Sequence, residues 1–432
     1  MFHRVFAAAL LTAVAGSTAT AQVTFELIDQ PFLNWAGTDI SADGRVIVGN
    51  QIGPYETFRW TAETGAVLLG RGTVAVLGGG AGSPNVSYDG TRVSATVTSE
   101  DNTTQVCGVW EAGQWTVCDS LPPDAVTIDT ADSDAWGLSG DGQVAVGLYW
   151  RAGALPSGGA YPLAFTPADG QGVRLGPGGV GVYSGRANAA NHDGSVIAGW
   201  RANSSGYWQP AVWENGVETI VENTQVGCPL QGVNHYGNIV LGQDYNAGFG
   251  RREAAFWTKT GGVWVKTQIG VLPGTSTGQA YAVECSADAS IVVGTNIFFS
   301  NPGGPRDGFI WTPAGGMVEV TAFLAANGIV VDPFFDIIEM SAITPNGRVM
   351  IGLGRWTDTL DIQTFRITIG GAGVCPGDAD GNNIVNFDDI TATLANWGAS
   401  TVPWTDGDTD GNCLVEFDDI TTTLANWGAS CP

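Results

Sequence analysis

One element recurs seven times along this chain, and it limits the fold more than any other feature. It reads small polar residue, spacer, usually Asp-Gly or Asn-Gly, spacer, then apolar residues ending in Gly. The copies are Ser41 to Gly49, Ser87 to Val97 (degenerate), Ser139 to Gly147, Asn191 to Gly199, Asn234 to Gly242, Ser286 to Gly294 and Thr344 to Gly352. In the sixth, Ala289 replaces the turn glycine. They start 43 to 58 residues apart, a blade-sized period. An apolar-x-Trp-Thr segment follows most copies, as at Phe58-Arg59-Trp60-Thr61, Phe256-Trp257-Thr258 and Phe309-Ile310-Trp311-Thr312.

Physically, each unit is two hairpins. Asp and Gly accept positive φ, so Asp-Gly between β-branched apolar runs marks a tight turn. The runs are four to six residues and alternate, as strands do. One such unit cannot bury both its faces, whereas a ring of them can. The expected fold is mainly β: a seven-bladed β-propeller of four-stranded blades over 22–370. The seventh unit lacks a fourth strand, and the mature N-terminus, Val23 to Ile28, is a strand without a unit. That strand is expected to complete the seventh blade and close the ring. Glu319 to Asn327 reads as a short helix ending at Gly328, a plug on one rim.

The alternation of Ser-x-Asp-Gly-x-Val-x-x-Gly with Ala-Phe-x-Trp-Thr resembles the HAF-type extracellular repeat family over Val23 to Gly370. The resemblance implies the architecture and says little about activity.

After a linker at 371–374 the texture changes. Gly377 to Ser400 and Gly407 to Ser430 are near-duplicates thirty residues apart. The first carries Asp378, Asp380, Asn382, Asn386 and Asp389; the second carries Asp408, Asp410, Asn412, Glu416 and Asp419. These fall at positions 1, 3, 5, 9 and 12 of a twelve-residue calcium loop, with Ile384 and Leu414 offering backbone carbonyls at position 7. Such spacing wraps hard oxygen donors around one centre, so two calcium ions are expected. Position 6, usually Gly, is Asn383 and Cys413. Each loop runs into a short helix with Phe387, Ile390, Leu394 and Trp397, or Phe417, Ile420, Leu424 and Trp427, on one face. Phe387 and Phe417 read as core rather than contact. The loop-helix duplication with Asp at position 12 resembles a type I dockerin over 375–432. The resemblance implies a small α-helical domain that docks cargo into a cohesin-like partner. Loop positions 10 and 11, which help read that partner, are here Phe387-Asp388 and Phe417-Asp418.

Arg4, the apolar run Val5 to Ala15 and the Ala19-Thr20-Ala21 site form a secretion signal over 1–21. No later apolar run is long enough to span a bilayer, so a secreted or cell-surface location is expected. The formal net charge of −25 leaves no basic surface for nucleic acid. Export permits disulfides. Cys107 and Cys118 are symmetric about the Ala112-Gly113 turn and expected to pair. Cys228–Cys285 is possible, and Cys375–Cys431 or Cys413–Cys431 would clamp the C-terminal module. His192 and His235 share one repeat slot and read as turn decoration. Of the 16 Trp, Trp35, Trp136, Trp200, Trp208 and Trp356 lie off the packing pattern and could face a glycan. No catalytic residue or cofactor-binding residue is singled out. The expected function is a non-catalytic, calcium-binding assembly protein that docks the propeller to a surface or scaffold partner, the propeller binding glycan or protein. The alternatives are a polysaccharide hydrolase or lyase carrying a dockerin, and a structural envelope repeat protein. Two or three carboxylates converging in the channel with raised pKa values would favour the enzyme.

Overall fold

A computed structural model describes residues 23–429, apart from 30–33, 52–55, 73–81, 129, 152–158, 177–183, 225, 276–277, 299–305, 371–374 and 381–383. The expected secretion signal, the linker, Asn382, Asn383 and Cys431 lie outside the described residues. No described helix is long and apolar enough to cross a membrane.

The described residues form seven antiparallel four-stranded sheets. Six are sequential meanders, such as Ser133–Leu138, Ala145–Arg151, Gly159–Thr166 and Gln171–Arg174. The seventh takes Phe335–Ile343, Val349–Trp356 and Ile362–Ile369 from the end of the ring and Val23–Leu27 from its start. Val23 pairs with Ile369 and Leu27 with Phe365, so the N-terminal strand closes the ring as expected.

The Asp-Gly turns explain themselves locally. Asp43 accepts from the Ser41 hydroxyl at 2.6 Å and the Arg45 N–H at 2.9 Å, while Ser41 Oγ accepts from the Val46 N–H at 2.9 Å. Ser139, Asp141 and Val144 repeat this bonding, as do Ser286, Asp288 and Ile291. The repeat's last glycine has another cause. In six blades the innermost strand carries a β-bulge, for example between Gly37 and Asp39 or between Ala135 and Gly137. The bulge presses a carbonyl onto the next strand: a Cβ on Gly49 would lie 1.9 Å from the Ala36 oxygen, and one on Gly147 1.8 Å from that of Asp134. The degenerate second unit has Ala95 at this position, and its innermost strand is only Asn85–Val86, paired without a bulge.

The core lies between blades. Trp35, Ile47 and Phe58 of the first blade pack with Ala342, Val349 and Ile351 of the last. Leu241 and Phe256 of the fifth pack with Ala280, Val292 and Phe309 of the sixth. Trp213 and Trp257, from the recurrent third strand, are fully buried, each such side chain stabilising by about 2–3 kcal/mol. The expected helix is α1 (Val320–Ala326), capped by Glu319 and Asn327, with Val320 and Leu324 in the core and Gly328 at φ +77°.

Beyond the ring, α2 (Phe387–Ala395) and α3 (Phe417–Ala425) form a pseudo-two-fold pair. The Thr393 hydroxyl donates to the Gly407 carbonyl at 3.2 Å, and that of Thr423 to Gly377 at 3.1 Å. Val385 and Val415, both buried, bond reciprocally to the Ala429 and Ala399 segments. The buried helix residues are Asp389 and Thr393, and Asp419 and Thr423. Phe387 and Phe417 therefore face outward, contrary to their core assignment, at 67 % and 68 % exposed. The helices approach through small and polar side chains against loop glycines, which leaves no room for aromatic rings between them.

The cysteines also depart from expectation. Trp110 pairs with Trp115, so the Cys107–Cys118 hairpin forms as read, yet both are free thiols, as are Cys228, Cys285 and Cys413. Burial pushes the Cys118 thiol up to about 12 and Cys107 well above its usual range, which suppresses the thiolate that oxidation requires. Cys375 is disulfide-bonded.

Candidate functional site

The bulges aim side chains into the central channel. Asp39 and Glu284 hold the same repeat position, the residue after the bulge, and line one cavity of ≈ 200 Å³ with Tyr88, Trp136 and Asn188. Asp39 accepts from the Ile40 N–H and, across the blade boundary, from the Val86 N–H, both at 2.8 Å. Glu284 accepts from the Ile343 N–H of the next blade at 2.8 Å. Each keeps part of its surface on the lumen although protein surrounds it. Burial raises Asp39 to about 7, against those two N–H bonds, and burial with the charge of Asp39 holds Glu284 well above the carboxylate range. Sequence reading missed this pair. The signal was available: both lie two residues before the repeat's first Ser, where other units have Asn85, Gly137, Ala189, Gly232 and Ala342.

In the C-terminal module the structure brings together loop positions 1, 3 and 12. A carboxylate oxygen from each of Asp378, Asp380 and Asp389 lies within 4.8 Å of the others, and Asp408, Asp410 and Asp419 repeat the arrangement. Asp389 accepts from Ala379 N–H at 2.8 Å and Asn386 N–H at 2.7 Å, and Asp419 from Thr409 at 2.6 Å and Glu416 at 2.7 Å. Burial first, then the Asp419 and Asp410 charges, lift Asp408 to about 7 against the N–H bonds of Cys413 and Gly411. Asn386 and Glu416, at position 9, cap the two helices in capping boxes. Asn412 bridges Asp410 and Glu416, and Leu414, at position 7, bridges to Ser400. Ile384 is half-exposed at the mouth of the first loop. Three carboxylates on one centre, twice over, are a hard, oxygen-only donor set of the kind that suits a dication such as calcium.

His192 and His235 are brought together with Tyr88 as three stacked rings, their centroids 4.9 to 5.7 Å apart. Cys413 from the second loop approaches, its Sγ 4.0 Å from His192 Nδ1. Burial, then the neighbouring His192, lowers His235 to about 4.

Of the Trp candidates, Trp35 is fully buried, Trp136 lies under the Arg186 guanidinium at 3.5 Å, and Trp356 packs edge-on against Phe335. Trp200 stacks on Trp208 at 4.4 Å, and Trp208 shows 45 % of its surface. With Tyr207, Gln243, Arg252, Gln279 and Tyr281 it lines a second cavity of ≈ 450 Å³. Arg252 bonds Gln279 at 3.3 Å, and its Nε has no partner among the described residues.

No protein-family profile matches this chain, and no curated protein matches it; the HAF-type and dockerin likenesses therefore stand as resemblances. Solved structures do match. An oligogalacturonate lyase from Vibrio parahaemolyticus is 10% identical with a TM-score of 0.52, over 81% of this chain and 97% of that one. TolB from Acinetobacter baumannii is 12% identical with a TM-score of 0.41, over 64% of this chain and 63% of that one. The β-propeller domain of the Trilobed protease from Pyrococcus furiosus is 11% identical with a TM-score of 0.48, over 77% and 95%. Identity this low speaks to the propeller fold alone.

Proposed function

We propose that this chain is an exported binding protein whose calcium-organised, dockerin-like C-terminal module docks the propeller onto a cohesin-like or envelope protein. The observation that carries this reading is the duplicated apolar face. Phe387, Leu394 and Trp397 on one half, and Phe417, Leu424 and Trp427 on the other, are each more than half exposed. Water-facing aromatics at matched positions of a pseudo-two-fold are what a partner-binding surface requires. Calcium at Asp378, Asp380 and Asp389, and at Asp408, Asp410 and Asp419, would replace carboxylate repulsion and fix both helices. The propeller's own ligand is a glycan seated on Trp208. That cavity falls within the 300–1,000 Å³ range of ligand sites, and the channel cavity falls below it.

The test is capture from the source's medium and envelope by the mature protein. A partner is expected that binds in calcium, is released by EDTA, and is lost when Phe387 and Phe417 are both replaced by Ala. The partner, purified, should reproduce that pattern alone. Capture insensitive to both changes would sink the docking reading.

A second reading rests on Asp39 and Glu284, two raised carboxyls lining one cavity, which suit acid-base cleavage of a polysaccharide. Their bonds to the next blade's backbone give them a structural task already. Cleavage by the wild type that Asp39→Asn and Glu284→Gln each abolish would establish it.

A further inference from the structure

We propose that His192, His235 and Cys413 form a transition-metal site, of the zinc class, that clasps the C-terminal module to the rim of the propeller channel. The three residues come from the fourth blade, the fifth blade and the second acidic loop, and one ligand atom from each lies within 4.8 Å of the other two. Zinc binds imidazole nitrogen at about 2.0 Å and thiolate sulfur at about 2.3 Å, so such a pair on one tetrahedral ion lies about 3.5 Å apart. His192 Nδ1 and Cys413 Sγ, at 4.0 Å, need to close by about half an ångström to reach that separation, a shift within the range of side-chain rotation.

Four further observations point the same way. His235 is only 5 % exposed, and its Nδ1 has no hydrogen-bond partner among the described residues. The Thr401 backbone bonds the same ring, the kind of outer contact that orients a metal-binding imidazole. The stack with Tyr88 holds both histidine rings nearly parallel, within 23°, so they are ordered before any ion arrives. Cys413 sits at φ +70°, a left-handed conformation that a side chain adopts at a cost. Calcium loops normally place Gly there. From this backbone position the thiol reaches His192, its Sγ 4.0 Å from Nδ1.

The donor set selects the ion. Two imidazoles and a thiolate are too soft for calcium and suit zinc. The adjacent carboxylates are hard and oxygen-only, so the module would hold two kinds of cation side by side. Binding converts the Cys413 thiol to a thiolate and releases one proton to solvent. The three protein ligands leave the fourth tetrahedral position to water. This clasp does not depend on the docking partner proposed above.

The experiment uses the full mature chain, metal-stripped and then saturated with calcium so that the acidic loops are filled. Cobalt(II) is titrated as the probe, then zinc. One equivalent of cobalt should produce a thiolate-to-cobalt charge-transfer absorption that one equivalent of zinc removes. Cys413→Gly should lose the absorption completely. That variant installs the residue the left-handed position favours, so it should fold and bind calcium at least as well as the wild type. The double variant His192→Ala/His235→Ala should lose the absorption as well. Absence of the band in the wild type would overturn the proposal. So would a band that survives in Cys413→Gly, which would place the cobalt on another thiol, or one that survives in the double variant.

Discussion

The two halves of this molecule use the same residue in opposite ways. In the propeller turns, Asp43, Asp141 and Asp288 each take a neighbouring hydroxyl and a backbone N–H, and the turn is complete. In the C-terminal module, Asp408, Asp410 and Asp419 converge on one another. Apolar residues divide likewise. The propeller's large apolar clusters are buried between blades, whereas the module's aromatics face water and its helices meet through Thr393 and Thr423. The propeller closes its own contacts, and under the proposed function the module is completed by a cation inside and a partner outside. A net charge of −25 thus tells little until each carboxylate's partner is known.

The contrast can be broken at several points. The largest effect should come from Gly147→Ala, whose Cβ meets the Asp134 carbonyl at 1.8 Å. A loss of about 3 kcal/mol is expected, read as a lower propeller melting temperature with calcium binding unchanged. Next, Asp419→Asn should weaken calcium binding by on the order of tenfold or more. Asp141→Asn, in a propeller turn, should cost about 1 kcal/mol and leave calcium binding unchanged. Equal effects of the two on calcium would erase the distinction.

A pH scan sharpens the comparison within the propeller. Asp134, buried and accepting from Gln105 Nε2 at 2.6 Å, is raised by burial to about 7 from 3.8. The folded state then holds a proton that the unfolded state has lost, so stability falls as pH rises from about 4 to about 7. Asp134→Asn should flatten that slope and melt higher than the wild type at pH 8. A steeper slope in the variant would contradict the assignment. The smallest effect on stability should follow Trp208→Ala. It should cost no more than about 1 kcal/mol of stability, through the lost stack on Trp200, while removing saccharide binding followed by tryptophan fluorescence.

The ring was legible because it is written by turns. Asp-Gly at a blade-sized period, and one strand left over at the N-terminus, specify blade number and closure from local chemistry alone. The channel pair was not read, because Asp39 and Glu284 acquire their character from bulges that bring them to one lumen. Helical spacing grouped Phe387, Leu394 and Trp397 correctly on one face. It could not say which side the other helix occupies, because Gly377 and Gly407 take the inner side and accept from the threonines. Nothing in the spacing joins Cys413 to His192, which lies 221 residues away and meets it only through docking of the module on the rim.

Hydrogen exchange of the mature chain, read by mass spectrometry in calcium and in EDTA, tests the division between the two regions most directly. Chelation should strip protection from 384–429, α2 and α3 included, and leave the strands between Val23 and Ile369 as protected as before. Protection of α2 and α3 that EDTA does not change, or an equal loss across the propeller strands, would contradict it.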